Sequence, residues 1–307
     1  MDFGKLNDIS KINFSLPPDH LATLLTLKKH TQNAQLEVFV GCPVWSCEEW
    51  VGKWYPAKIQ SKDYLKYYAQ QFNTIELNTT HYRIPDANTI DKWRESTPSS
   101  FRFCPKILQT ISHDQLLQNT ESLLQAFCDS IWELENKLGI CFLQLPPYFS
   151  PDKLHILEKF VQIFPKEIRL SIEFRHEGWF RLENGLLPFT LATEMLENYA
   201  ISTVICDVSG RRDVLHQRLT TTTAVVRFVG NSLHITDYQR LDEWIERIAL
   251  WKENGLEKLY FFMHEPDNVL SPDLVVYFIE KLNQRCALQL RKPMIYQNTT
   301  FTQSKLF

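Results

Sequence analysis

The chain has 307 residues, 44% of them hydrophobic and 22% charged, with a formal net charge of −3. That composition is globular and excludes global disorder. The weakly acidic balance argues against a broad nucleic-acid footprint, which needs a basic surface, although a local basic pocket would survive it. No apolar run of about 18 residues occurs, so no membrane span is expected. The first residues lack the apolar stretch of a secretion signal. The seven cysteines are odd in number and form no Cys-x-x-Cys pair. They read as buried free thiols of a cytoplasmic protein.

Along the chain, short apolar runs alternate with amphipathic segments, which implies parallel strands joined by helical crossovers. The predicted strands are Glu37–Cys42, Thr74–Asn78, Phe101–Lys106, Ile140–Leu145, Ile168–Phe174, Ile201–Asp207, Ala224–Val229 and Lys258–Met263. Their continuous apolar character suits strands covered on both faces. Between them the spacing predicts helices over Ser61–Phe72, Asn88–Ser96, Gln115–Leu138, Asp152–Phe164, Pro188–Tyr199, Gln239–Glu253 and Ser271–Cys286. The connection after Asp207 reads as irregular. This pattern predicts a single-domain (β/α)8 TIM barrel over 37–290, with an open doubly wound sheet as the alternative. A helix over Pro18–Lys29 lies in the extension 1–36 and is expected to cap the barrel bottom. The polar stretch 291–307 reads as a tail.

In such a barrel the strand ends at the C-terminal face carry the chemistry. Polar residues fall there repeatedly. Glu76 and Asn78 end the second strand, Lys106 the third, Gln144 the fourth, and Glu173 and Arg175 the fifth, followed by His176 and Trp179. Asp207 ends the sixth strand, Arg227 lies in the seventh, and His264 follows the eighth. Ionisable groups in apolar strands are costly to bury unless paired, so their recurrence points to a shared polar cup. The candidate catalytic residues are Glu76, Glu173, Lys106 and Asp207. Glu76 and Glu173 could serve as acid and base, and Lys106 as an imine former or an anion contact. Arg175 and Arg227 suit a carboxylate or phosphate, or internal pairing with Glu173 or Asp207. Trp45, His81, Tyr82 and Trp179 are aromatic candidates for a stacking wall or for core packing. No His-x-His, His-Glu-x-x-His, Gly-x-Gly-x-x-Gly or Gly-x-Ser-x-Gly pattern occurs, so neither a metal nor a cofactor is expected.

These residues also carry a family resemblance. Gly41-Cys-Pro-Val-Trp45, Trp50-Val-Gly52-Lys-Trp54-Tyr55-Pro56 and Phe72-Asn-Thr-Ile-Glu76-Leu-Asn78-Thr-Thr-His81-Tyr82 follow one another. Phe101–Lys106, Leu143-Gln144-Leu145-Pro146-Pro147, Glu173-Phe174-Arg175-His176 with Trp179, and Arg227-Phe228 with Gly230 come later. In this order they resemble the domain of unknown function 72, or YecE-like, family over about residues 37–285. The resemblance implies a TIM barrel and a bacterial protein, and no known reaction. Two loops depart from the family pattern. Cys42-Pro43-Val44 stands where Thr-Ser-Gly is usual, and Phe262-Met263-His264-Glu265-Pro266 replaces a Phe-Asn-Asn loop. The expected function is a cytoplasmic enzyme for a small anionic or sugar-like ligand: a hydrolase, lyase or isomerase using acid–base chemistry. The alternatives are an endonuclease IV-like nucleic-acid-processing barrel, by analogy of fold alone, and a non-catalytic ligand-binding protein.

Overall fold

The computed structural model describes residues 4, 6–29, 35–183, 185 and 187–296. Residues 297–307 of the expected tail, and 1–3, 5 and 30–34 of the extension, lie outside the described residues. Eight strands are present: β1 Glu37–Gly41, β2 Thr74–Leu77, β3 Arg102–Pro105, β4 Cys141–Gln144, β5 Leu170–Glu173, β6 Ser202–Asp207, β7 Thr223–Val229 and β8 Lys258–His264. The helices are α1 Leu21–Lys28, α2 Tyr64–Gln71, α3 Ala87–Glu95, α4 Glu121–Trp132, α5 Leu154–Ile163, α6 Pro188–Asn198, α7 Ile235–Glu253 and α8 Ser271–Cys286.

All strand pairs are parallel. One sheet runs β1-β8-β7-β6-β5-β4 and a second pairs β2 with β3. At the β3–β4 seam the Gly139 amide donates to the Phe103 carbonyl at 2.7 Å, and the Ile107 amide to the Phe142 carbonyl at 3.0 Å. At the β1–β2 seam, side chains supply most of the bonds beside one backbone bond, from the Glu76 amide to the Cys42 carbonyl at 3.3 Å. The Asn73 carboxamide accepts from the Val40 amide and donates to the Val38 carbonyl, both at 2.8 Å. The Tyr68 hydroxyl accepts from the Cys42 amide at 2.7 Å and donates to the Thr74 carbonyl at 2.9 Å. Gly41 is required here, because a Cβ would come within 2.0 Å of the Thr74 carbonyl. The eight strands thus follow one another around a TIM barrel, and the open-sheet alternative falls away.

The period-two alternation of the strands sorts side chains into two layers. Phe39, Cys104, Ile140, Phe142, Val204, Val225, Tyr260 and Phe262 pack inside the barrel. The opposite faces pack against the helices, with Trp50, Phe103, Trp179, Trp244, Phe261 and Phe278 among the largest contributors.

Two predicted helices differ from the expectation. The segment 115–138 forms only α4 and a short turn, because Leu116, Leu117 and Asn119, and later Glu135, take left-handed backbone conformations that no α-helix accommodates. No α-helix follows β6. Its place in the outer layer is taken by α1, which lies along the barrel's side and does not cap the bottom. Thr23 of α1 accepts from the Leu219 amide at 3.1 Å and donates to the Gln217 carbonyl at 2.8 Å. Asp19, just before α1, accepts from Arg247 at 2.6 Å and from the Trp251 indole at 3.1 Å, both on α7. On its other side Thr26 meets Glu197 of α6.

Candidate functional site

A cavity of about 650 Å³ opens at the C-terminal mouth of the barrel. Its floor is the inward-facing row of strand ends, among them Glu76, Arg175, Cys206, Arg227 and His264. Its walls come from the loops after β1, β2, β6, β7 and β8, including Asn78, Tyr82, Asn231, Ser232 and Glu265. The volume is that of a small-molecule site.

Arg227 organises the floor. Its Nε and Nη2 donate to the two oxygens of Glu76 at 2.8 and 2.9 Å, and its Nη1 donates to Glu173 Oε2 at 2.7 Å. Arg175 Nε donates to the other oxygen of Glu173. Glu76 also accepts from Asn78 Nδ2 and lies against His264 Nε2, each at 2.9 Å. Burial alone would push both carboxyls up. The guanidinium of Arg227 with His264 more than offsets this at Glu76, which is held well below the usual carboxylate range. Arg175 and Arg227 likewise hold Glu173 at about 2. Both carboxylates are therefore ionised and saturated at neutral pH. Their environments do not separate them into an acid and a base.

Lys106 lies just beneath this layer. Its Nζ donates to Gln144 Oε1 at 3.0 Å, and both Nζ and the Arg227 guanidinium stand over the Phe142 ring, at 5.9 and 5.7 Å. Burial and then the Arg227 charge lower its ammonium to about 7. His81 is buried, with Nδ1 2.7 Å from the Ile107 carbonyl, and its ring meets Tyr82 at 5.3 Å. Burial and the Lys106 charge hold it near 4.

Glu265 forms the wall between the β7 and β8 loops. Its carboxylate accepts from the Ser232 amide at 2.8 Å and the Leu233 amide at 3.3 Å. Gly230 leaves room for this carboxylate, because a Cβ would lie 2.5 Å from Glu265 Oε1 and would displace it. Burial raises this carboxyl to about 7 despite the two amide donors, and neighbouring Asp237 adds to the rise.

Several predicted residues lie elsewhere. Asp207 does not join the cup. It follows Cys206 on β6 by one residue, so alternation turns it outward toward α7. There it accepts from Arg240 Nη2 and the Trp244 indole, both at 2.8 Å, and pairs with Arg212. Trp179 is in the helix layer, with its indole donating to the Phe149 carbonyl at 2.9 Å and its ring 5.0 Å from Phe174. His176 caps the turn at Glu177–Phe180 by accepting from the Gly178 amide at 2.9 Å. Trp45 packs edge-on against Trp93 of α3 at 5.9 Å. Of the predicted aromatics, only the 70% exposed Tyr82 lines the cavity, so no stacking wall forms.

The sequence reading left out several contributors, Asn231 and Ser232 of the loop after β7 among them. Cys206 shares its inward phase with Val204, a phase that only the register against β7 reveals. Glu265 enters that reading only as part of the loop after the eighth strand and not as a site residue. Leu6, Asn7 and Ile9 also line the cavity, and they come from the extension, outside the family resemblance. Among the described residues, no three His, Cys, Asp or Glu side chains group as metal ligands would. No described helix is long and apolar enough to cross a membrane. All seven cysteines are buried and free.

Comparison with known proteins agrees with this architecture. In fold, the chain is similar to a DUF72 family protein of Enterococcus faecalis V583, with a TM-score of 0.65 at 19% identity, covering 85% of this chain and 99% of that one. In sequence it is 30% identical over 262 residues to UPF0759 protein YecE of Escherichia coli K12, covering 80% of this chain and 93% of that protein. UPF0759 protein YunF of Bacillus subtilis is 27% identical over 150 residues, covering 47% of this chain and 52% of that protein. The family model described as "Protein of unknown function DUF72" matches residues 39–297. With the strand-end motifs, the barrel and these matches in agreement, the chain belongs to the DUF72 family.

Proposed function

We propose that this chain is an acid–base enzyme that binds a small anionic, hydroxylated molecule at the mouth of its barrel. One observation carries the reading. The mouth cavity holds the guanidiniums of Arg175 and Arg227 on its floor, and two groups that titrate near neutrality, Glu265 and Lys106, stand beside and beneath it. Arginines orient carboxylates or phosphates, and proton transfer is fastest from groups whose pKa lies near the working pH. In this reading Glu76 and Glu173 stay ionised and fix Arg227, which keeps two further N–H donors among the described residues. Asn78, Asn231 and Ser232 supply partners for hydroxyl groups. Proton exchange falls to Glu265 and Lys106.

A second reading, a non-catalytic ligand-binding protein, draws on the saturation of Glu76 and Glu173 by Arg227. Turnover that depends on Glu265 would exclude it.

The test is a thermal-shift screen against organic acids, sugar acids, phosphosugars and nucleotides, repeated on Glu173→Gln and Arg175→Ala. A ligand of this site raises the melting temperature of the wild type and of neither variant. Binding should also take up a proton at pH 8, because an anion beside Arg227 restores the charge of Lys106. Calorimetry in two buffers of different ionisation enthalpy reads that uptake directly. A ligand that stabilises wild type and both variants equally sits elsewhere and defeats the reading.

A further inference from the structure

The extension does more than fill the outer helix layer. Before reaching α1, it crosses the mouth of the barrel. At one end, the Gly4 carbonyl accepts from the Gly210 amide at 2.8 Å and from the Ser209 hydroxyl at 3.2 Å. Gly210 permits this approach, since a Cβ there would lie 2.6 Å from the Gly4 carbonyl oxygen. At the other end, Arg212 donates to the Phe14 and Ser15 carbonyls at 2.8 and 3.1 Å. The Phe14 ring receives the Arg212 and Arg240 guanidiniums at 5.5 and 5.1 Å. Those two arginines are held by Asp207. Between the two anchors, Leu6, Asn7 and Ile9 face the cavity.

We propose that the segment Leu6–Ile9, tethered through Gly4, is the outer wall of the ligand site, a strap that must lift for a molecule to enter and that sets which molecules fit beneath it. Leu6 and Ile9 offer apolar surface and Asn7 one carboxamide, against a floor of arginines and carboxylates. The ligand class this selects has a charged or hydroxylated side toward the floor and a small apolar edge toward the strap. The family match begins at residue 39, so this wall belongs to the part of the chain outside it. Asp207 acquires a role here as a positioning residue, holding the arginines that clamp Phe14.

The inference takes the mouth cavity as the ligand site, as proposed above, but its test needs no ligand, so the two can fail separately. Cys206 lines the cavity, whereas the other cysteines do not. Its alkylation by N-ethylmaleimide, followed site by site by mass spectrometry, therefore reports how often the mouth opens. In the full chain, Gly210→Ala drives a methyl into the Gly4 carbonyl and should unseat one end of the strap. Phe14→Ala should loosen the other. Each is expected to speed Cys206 labelling about tenfold and to leave Cys104, buried inside the barrel, and Cys141, buried under the helix layer, unchanged. Hydrogen exchange should rise in parallel at 206–209 and stay constant at 37–41. If Cys206 labelling does not change in either folded variant, the strap does not control entry. If all three cysteines speed up together, the contacts are a structural clasp and the inference is wrong.

Discussion

At the scale of single residues, Arg227 decides the character of the floor. Two carboxylates with almost no exposure share its guanidinium, which is the main counter-charge of Glu76 and the second, beside Arg175, of Glu173. Arg227→Met should cost about 3–5 kcal/mol at pH 7, because it takes from buried Glu76 its guanidinium partner and from Glu173 one of two. The pH dependence from Glu76 should also change sign. In the wild type, the folded pKa values of Glu76 and Glu173 lie below their unfolded values. Their contribution is complete above the unfolded pKa and is lost as pH falls through the folded values, near 2 for Glu173. In Arg227→Met, Glu76 loses its largest counter-charge and burial would raise its carboxyl, so its contribution to stability should grow as pH is lowered from 7 toward 5, while Glu173 keeps Arg175. Urea midpoints across that range check this.

Lys106 gives the opposite lesson. Its folded value of about 7 lies below the ordinary lysine value, so between the two the unfolded chain holds a proton that the folded chain does not. Stability from this residue therefore rises with pH from about 7 to about 10. Lys106→Met should remove that slope and stabilise the protein at pH 7. An unaltered slope would mean the ammonium is better compensated than its single contact to Gln144 suggests.

At the scale of elements, the strands were legible because each is a short apolar run bounded by polar residues, and their number alone favours a barrel. Which strand-end residues share the site depends on phase. Glu76, Asn78, Glu173, Arg175 and Arg227 fall on inward positions, whereas Asp207 misses by one residue. The sequence offers Val204 with Cys206, or Ile205 with Asp207, as equally apolar faces, and only the register against β7 chooses between them. Trp179 and Trp45 were illegible for another reason, since a tryptophan near a strand end serves equally well in the helix layer. The role of α1 lay beyond local reading altogether. Its partners are Gln217, Leu219, Arg247 and Trp251, far along the chain. Thr23 couples it to the barrel through one hydroxyl that both accepts and donates while fully buried. Thr23→Val keeps the shape but leaves the Leu219 amide and Gln217 carbonyl without that partner, and should cost about 1–3 kcal/mol in urea unfolding. No change would mean α1 is held by its apolar face alone.

At the scale of the whole molecule, the barrel separates two tasks. Its lower interior is apolar, around Phe39, Val225 and Tyr260, and its upper interior is ionic. The apolar layer gives the floor a low-dielectric footing. That footing strengthens both the burial cost that lowers Lys106 and the guanidinium attraction that lowers Glu173 and Glu76.

The borrowed helix also has a consequence in time. Thr23 precedes its partner Leu219 by 196 residues. An eight-residue helix cannot hold itself in water. During synthesis the segment 16–28 therefore emerges early and waits, unstructured, until β6, the connector after it and α7 have been made. The helix docks only after its later partners exist, and the strap ahead of it can settle over the mouth only after the barrel beneath has closed.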